Sequence, residues 1–394
     1  MSGGPGRGAV RGMARGTARG AGPIAVVAAI VATFAITAGP IRASGANPLS
    51  AYNRYLIEPL RSSYSIQEVL LTSTPLLFTG LAVAVAFRAG YFNIGAEGQF
   101  LAGAMGATVP GLYLDGLPAG VALPVGVVAG AIGGTLWATL PAWLRRVAGI
   151  DEVVTTLLLN PVSLLLMQGL LNGPWRHPES GFPDSDTFGP GYRMPLIVGT
   201  DRVHAGFLLA VLAIAVFGVV MAWSPLGLRV RAAGEAPDAA RFSGIAVERI
   251  RWRGALLSGA IAGVAGAVQV MGVQHQLTAS IAVGYGYTGV VVATLGALHA
   301  AGVSVVGLVL GLIAVGAQSA SRVLQLPFQM GQLVTAVLLL TTVSAVTIAR
   351  RRTRASTSGV QRAKRASRSP RGQGRRSASG VARWRGLRGR GTQR

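Results

Sequence analysis

Long stretches without a charged residue constrain the fold of this 394-residue chain more than any other feature. A helix needs about 20 consecutive apolar residues to cross the hydrocarbon layer of a membrane. Most of the stretches allow one crossing, and the longest allows about three. They lie at 23–41, 69–87, 116–144, 153–175, 205–228, 254–321 and 323–349. The pattern predicts an all-α fold: a polytopic bundle of transmembrane helices, some of them broken.

Charged residues make up only 12% of the chain. Soluble proteins carry about 25%. This difference argues against a soluble protein with buried helices.

Both ends of the chain are basic. Residues 1–22 carry arginines and no acid, and 350–394 carry sixteen basic residues and no acid. Positive residues favour the cytoplasmic side of a membrane. We therefore expect a basic cytoplasmic arm at 1–22, a transmembrane domain at 23–349 and an Arg-rich cytoplasmic tail at 350–394. The tail lacks apolar periodicity and is predicted to be disordered. About ten crossings place both termini inside.

The apolar stretch at 23–41 follows a basic segment, as in a signal peptide. No convincing cleavage site precedes a polar domain, so we expect a retained first helix.

Charge also distinguishes the two longest polar segments. Residues 173–203 are slightly acidic and rich in Pro and Gly, which suits an external loop. Residues 224–253 carry six arginines and three acids, as expected of a cytoplasmic loop. The first six helices are expected at about 23–41, 66–87, 97–114, 119–144, 153–172 and 204–223. Glycines at four-residue spacing, as in Gly126/Gly130/Gly134 and Gly259/Gly263, predict close helix packing.

A polar island interrupts the apolar sequence at 87–100, FRAGYFNIGAEGQF. Glycines around Asn93 favour a helix break, and Asn93 suits the start of the next helix. Glu97 would then lie near the positive end of that helix. Irregular backbone at membrane depth survives only when it is buried in protein or lines a cavity. Asn93, Glu97 and Gln99 therefore either line a translocation path or tie neighbouring backbone together.

Two further islands place polar groups inside apolar segments. Asn160 precedes Pro161, which removes a backbone hydrogen bond from the predicted helix 153–172. Asn160 either faces a solute path or bonds the carbonyl that Pro161 frees. Tyr285 and Tyr287 belong to two Gly-Tyr pairs, and they either lie at the membrane interface or line a vestibule.

The loop at 224–253 contains a candidate docking element. Pro237 suits the first turn of a helix, and Gly244 suits its C-terminal cap. Between them, alanines and Phe242 offer a partly apolar surface. The segment is either a short helix that enters a partner's groove or an amphipathic loop held at the lipid surface by its arginines.

Several catalytic chemistries are excluded by composition. There is no cysteine, and the only lysine, Lys364, does not follow a glycine-rich loop, so the chain has no P-loop. The four histidines are scattered, without a metal-binding spacing. We expect no catalytic residue, no metal site and no cofactor on this chain.

Four motifs occur in an order that resembles a known family: the permease subunits of bacterial ABC importers. The nearest branch resembles the simple-sugar and nucleoside permeases, with ribose-type and branched-chain amino acid permeases more distant. The resemblance covers about 65–350. The motifs are PLLFTGLAVAVAFRAGYFNIGAEGQFLAGA, GIDEVVTTLLLNPVS, GLRVRAAGEAPDAARFSGI and GYGYTGVVVATLGALHAAG.

The resemblance implies partners and a mode of action. It implies a second permease chain, identical or not, two cytoplasmic ATP-binding subunits and an external solute-binding lipoprotein, in a bacterial plasma membrane. ATP would bind to the partner subunits, and the solute would be a nucleoside or simple sugar. The coupling helix is expected at about 235–244. Its contact residues are expected to be Glu235, Pro237, Asp238, Arg241 and Gly244.

Two departures from the family pattern bear on solute preference. Asp151 stands where Asn is usual, and Pro161 replaces a common Tyr. Two other classes stay open from the residues alone. An ion-coupled secondary transporter uses broken helices, although Glu97 is the only candidate intramembrane acid. A membrane-anchored nucleic-acid binder would use the basic tail, although a tail resting on anionic lipid is favoured and no specific nucleic acid is expected.

Overall fold

The computed structural model describes residues 28–345, except 328, 339, 342 and 343. Within these residues the regular secondary structure consists of helices, together with two isolated β-bridges. The predicted arm at 1–22 and tail at 350–394 lie outside the described residues. The described part is therefore all-helical, as the apolar stretches predict.

We label twelve α-helices in the described part of the chain, in sequence order. They are α1 (Ala28–Ala43), α2 (Pro48–Leu56), α3 (Ser63–Arg88), α4 (Ala96–Tyr113), α5 (Ala119–Ala148), α6 (Glu152–Asn172), α7 (Gly206–Trp223), α8 (Pro225–Glu235), α9 (Pro237–Phe242), α10 (Val247–Gln269), α11 (Tyr285–Leu295) and α12 (Ala300–Leu324). A π-helical turn, Val270–Gln274, extends α10. Residues 329–338 are also helical.

Local chemistry defines several helix ends. The Ser62 hydroxyl accepts the Ser65 N–H at the start of α3, and the Asp151 carboxylate accepts the Val153 N–H at the start of α6. Gly149, at φ +66°, ends α5 in a left-handed conformation that suits glycine. The second to sixth predicted helices agree with α3 to α7 within four residues at each end.

Helix α2 was not predicted. Its sequence, PLSAYNRYL, is too short and polar to stand out as a membrane segment. The side chain of Asn47 caps it by accepting the Leu49 N–H at 2.9 Å, and Pro48 occupies its first turn. The axes of α1 and the segment Pro48–Leu60 differ by 120°. The first apolar stretch is therefore followed by a sharp return of the chain.

Glycines bring α4, α5 and α10 into backbone contact. A Cβ atom added to Gly103 of α4 would lie 2.2 Å from the Gly263 Cα atom of α10. A Cβ atom added to Gly263 would lie 2.2 Å from the carbonyl oxygen of Gly130 on α5. A Cβ atom added to Gly134 of α5 would lie 2.2 Å from the carbonyl oxygen of Gly259 on α10. No side chain fits at such distances. The four-residue glycine spacing thus predicted this packing correctly.

Helix α6 has its polar side facing the protein. Thr156, Asn160 and Ser163 are buried, whereas Leu158 and Leu165 are more than 60% exposed. In a soluble protein the opposite arrangement is usual. An apolar outer surface with polar groups turned inward is typical of a helix in lipid.

Within the described residues, six helices are long and apolar enough to span a membrane, and the bent pair of α1 and Pro48–Leu60 raises this number to at most seven. The six are α3, α5, α6, α7, α12 and α10 with its π-helical turn. Helix α4 has 18 residues and is mostly buried, and α11 has 11. These helices indicate a multi-pass membrane protein. The count of ten crossings stays a prediction.

Candidate functional site: a helix break, a cavity and the loop at 224–253

The chain between α3 and α4 is held by buried amides. The side chains of Asn93 and Gln99 form a reciprocal pair: Asn93 Nδ2 donates to Gln99 Oε1 at 2.8 Å, and Gln99 Nε2 donates to Asn93 Oδ1 at 3.2 Å. Asn93 also accepts the Gly95 N–H and donates to Ser258 on α10. Ser258 in turn donates to the Ala82 carbonyl of α3. This network joins α3, α4 and α10 around the break.

Helix α6 supports the same break from the other side. Asn160 Oδ1 accepts the Gly98 N–H at 2.9 Å, and its Nδ2 donates to the Ile94 carbonyl at 3.0 Å. The Thr156 hydroxyl accepts the Ile94 N–H. In these bonds Asn160 satisfies backbone of the break, rather than the carbonyl that Pro161 frees within its own helix. Backbone that leaves a helix in a membrane needs such partners.

Glu97 holds the start of α11. One carboxylate oxygen accepts the Gly286 N–H at 2.6 Å, and the other accepts the Gly284 N–H at 3.1 Å. A Cβ atom on Gly286 would lie 2.0 Å from the Glu97 nitrogen, so only glycine fits there. A carboxylate is also stabilised by the positive end of a helix. Glu97 thus fastens α11 to α4.

A cavity of about 440 Å³ opens beside this attachment. It lies between α3, α11, α12 and the helical segment 329–338. Among the described residues that line it, none has a charged side chain. Its polar or aromatic members are Thr72, Tyr285, Tyr287, Thr288, Gln318, Gln332 and Thr335. Aromatic faces with scattered hydroxyl and amide groups suit an uncharged polar ligand.

The residues predicted for a translocation path thus fall into two groups. Tyr285 and Tyr287 line the cavity. Asn93, Glu97, Gln99 and Asn160 are buried at the break, outside the cavity lining. Their observed contacts are those of groups that tie backbone together, and a direct contact with solute stays a prediction. Gln318 and Gln332 were missed, although an amide within an apolar helix is itself a signal.

The loop at 224–253 contains α8 and α9, so the short helix after Pro237 forms as predicted. Ala240 is buried, whereas the Phe242 ring is 97% exposed. Arg241 donates to Asp238 and to Glu248, at 2.9 Å in each case. Gly244, at φ +79°, lies in the turn after α9. The loop therefore presents an aromatic ring and exposed charges on a braced turn.

This loop packs against the helix break. A Cβ atom on Gly234 would lie 2.3 Å from the Arg88 carbonyl oxygen. The Arg88 guanidinium lies 3.7 Å from the Glu235 carboxylate, and its Nε donates to the Leu298 carbonyl at 3.0 Å. Leu298 belongs to the turn between α11 and α12. Arg88 thus connects the loop, the end of α3 and the turn that follows α11.

Comparison with known proteins adds an independent finding. Residues 65–343 match the family described as the permease component of branched-chain amino acid transport systems. A glucose ABC transporter permease protein of Haloferax volcanii is 34% identical over 319 residues, which cover 78% of this chain and 84% of the relative. A guanosine ABC transporter permease protein of Bacillus subtilis is 30% identical, covering 77% and 88%.

A nucleoside ABC transporter permease protein of Lactococcus lactis is 29% identical over 295 residues, covering 72% of this chain and 80% of the relative. No solved structure matches the chain significantly.

Proposed function

Because this chain belongs to the family of permease components and is a membrane permease subunit of an ABC importer, we propose that its 440 Å³ cavity forms part of the solute path. The cavity is the observation that carries the proposal. It is uncharged along its described lining, and it adjoins the broken helices. Glu97 holds Tyr285 and Tyr287 at its edge through the start of α11.

The proposed solute is a nucleoside or a simple sugar. Tyrosine rings stack on bases and sugars, and glutamine amides both donate and accept hydrogen bonds with hydroxyl groups. A free amino acid carries two charges that the described lining does not match. The names of the relatives, which include glucose, guanosine and nucleoside permeases, support the same choice.

The proposed assembly contains more than this chain. A second permease chain completes the path, two ATP-binding subunits bind and hydrolyse ATP, and an external lipoprotein delivers the solute. This chain binds no cofactor. We further propose about ten crossings of a bacterial plasma membrane, with the arm at 1–22, the loop at 224–253 and the tail at 350–394 on the cytoplasmic side and the loop at 173–203 outside.

Coupling is proposed to run through the cytoplasmic loop. Residues Glu235, Pro237, Asp238, Arg241 and Gly244 form or brace the surface that meets an ATP-binding subunit. Movement of that surface reaches the membrane through Arg88, which contacts both Glu235 and the Leu298 carbonyl. A displacement at the loop thereby shifts the end of α3 and the turn after α11, and both of these helices line the cavity.

Uptake by the complete transporter tests the proposal. Proteoliposomes with all subunits are assayed for ATP-driven uptake of labelled guanosine, glucose and leucine. We expect guanosine or glucose to be taken up and leucine to be excluded. The variants Gln332→Ala and Tyr287→Ala are expected to lower uptake of that solute at least tenfold.

Matched controls lie away from the cavity. Gln168→Ala and Tyr113→Ala change exposed side chains of the same types, and both are expected to retain uptake. Leucine uptake, or equal uptake by cavity and control variants, would refute the assignment of the path.

A further inference from the structure

A second pocket, of about 490 Å³, lies where the end of α5 meets the start of α10. It is separate from the solute cavity and shares no lining residue with it. Three arginines, Arg146, Arg241 and Arg249, line it together with one acid, Glu248. The described lining is therefore positive.

Two of these arginines, Arg146 and Arg249, carry charges that no carboxylate of the described residues neutralises. Glu248 accepts from Arg241 and from Arg251, at 2.9 Å in each case, so its carboxylate is already shared. Arg146 and Arg249 form no ion pair with any described residue. The Arg146 guanidinium lies over the Trp252 ring, 5.8 Å from its centre. This contact holds one cation at the pocket wall without neutralising it.

Apolar surface continues from the pocket along both helices. On α5, Leu136, Leu140, Trp143 and Val147 are exposed at helical spacing, leading to the turn that carries Arg146. On α10, the exposed residues at four-residue spacing are Arg249, Arg253 and Leu257. Each helix thus changes from exposed arginine to exposed hydrocarbon over about one turn.

From this arrangement we infer that the pocket binds the phosphate headgroup of an anionic phospholipid, whose acyl chains lie along the outer face of α5. The pattern combines two uncompensated guanidinium groups, which pair well with phosphate, with a contiguous apolar ridge. A soluble phosphate ester would pair with the guanidinium groups but would not cover the exposed apolar face of α5. An acidic protein surface would likewise not need exposed leucine and tryptophan beside the arginines.

The test is lipid retention by the complete transporter, purified in detergent and titrated with phosphatidylglycerol or phosphatidylcholine in native mass spectrometry. We expect phosphatidylglycerol to bind preferentially. The double variant Arg146→Gln/Arg249→Gln is expected to bind it about 30-fold more weakly, since each arginine near an anionic lipid contributes about 1 kcal/mol.

Two controls define the site. Arg176→Gln/Arg193→Gln removes the same charge from exposed positions in the segment 173–203 and is expected to bind phosphatidylglycerol like the wild type. Arg146→Lys/Arg249→Lys keeps the charge and is expected to restore most of the affinity, which separates loss of charge from loss of fold.

Four results would overturn the inference. The first is equal binding of the two lipids by the wild type, and the second is equal loss in both Gln double variants. The third is displacement of phosphatidylglycerol by millimolar glycerol phosphate, which would indicate a site for a soluble phosphate ester. If Arg146→Gln/Arg249→Gln instead loses its ATP-binding subunits while it retains lipid, the pocket belongs to that interface.

Discussion

The attachment of α11 to Glu97 gives a prediction whose size follows from the structure. The two carboxylate oxygens accept the backbone N–H groups of Gly286 and Gly284. Glu97→Gln replaces one acceptor oxygen by an NH₂ group, which faces a donor. Glu97→Ala removes both acceptors. A buried donor left without a partner costs about 1–3 kcal/mol. We therefore expect about 2 kcal/mol of local destabilisation for Gln and about 4 kcal/mol for Ala.

Hydrogen exchange measures this quantity directly, because the affected groups are themselves amides. The protection of a native amide reports the free energy of local opening. With a tenfold change for each 1.4 kcal/mol, exchange in a peptide covering 284–287 is expected to accelerate about 30-fold for Glu97→Gln and several hundredfold for Glu97→Ala. Solute uptake should fall in the same order, since this segment carries Tyr285 and Tyr287 at the cavity.

The matched control is Glu58→Gln, which changes a partly exposed acid whose contact with Arg61 is 3.8 Å long. A surface pair of this kind contributes at most about 1 kcal/mol, so exchange at 284–287 should not change. Wild-type exchange rates in Glu97→Ala would refute the proposed attachment, whatever the effect on uptake.

Two further predictions concern the loop at 224–253 and the pH dependence of stability. Phe242→Ala removes a ring that is 97% exposed, and we expect less uptake per ATP hydrolysed at unchanged thermal stability. The control is Phe182→Ala, which also removes an exposed ring. Equal uptake by the two variants would contradict a docking role for Phe242. Burial, with a smaller contribution from His275, lowers the pKa of His204 from 6.5 to about 4. Between these values the unfolded chain binds a proton that the folded protein excludes, so the stabilisation is complete above pH 6.5 and is lost as the pH falls towards 4. The loss amounts to about 3 kcal/mol, and His204→Asn, measured by unfolding of the purified transporter from pH 7 to 4, should remove this dependence; an unchanged slope would contradict it.

Local features made much of this fold predictable from the sequence. Uncharged stretches identified α3 to α7, and single residues such as Ser62, Asp151 and Gly149 define helix ends by bonds or dihedral angles within a few positions. The short helix after Pro237 was predicted for the same reason. These signals act over one helical turn, so reading them needs no knowledge of tertiary structure.

The remaining features depend on contacts between distant parts of the chain. Glu97 and Gly286 are 189 positions apart, and Asn160 bonds groups more than 60 positions away. Composition reveals that such polar groups need partners but cannot identify them. The two glutamines of the cavity were missed for the same reason: Gln318 and Gln332 become part of one surface with Tyr285 and Tyr287 only when α12 and the segment 329–338 fold against α3 and α11.

The glycine contacts among α4, α5 and α10 have a mechanical consequence. Where the backbones of two helices are in direct contact, no change of side-chain rotamer can accommodate a shift of one helix against the other. Sliding one helix by a single residue would bring a Cβ atom into a neighbouring carbonyl group. These three helices therefore behave as one inflexible block. A conformational change of the transporter is therefore expected to leave this block intact and to occur in the elements packed around it.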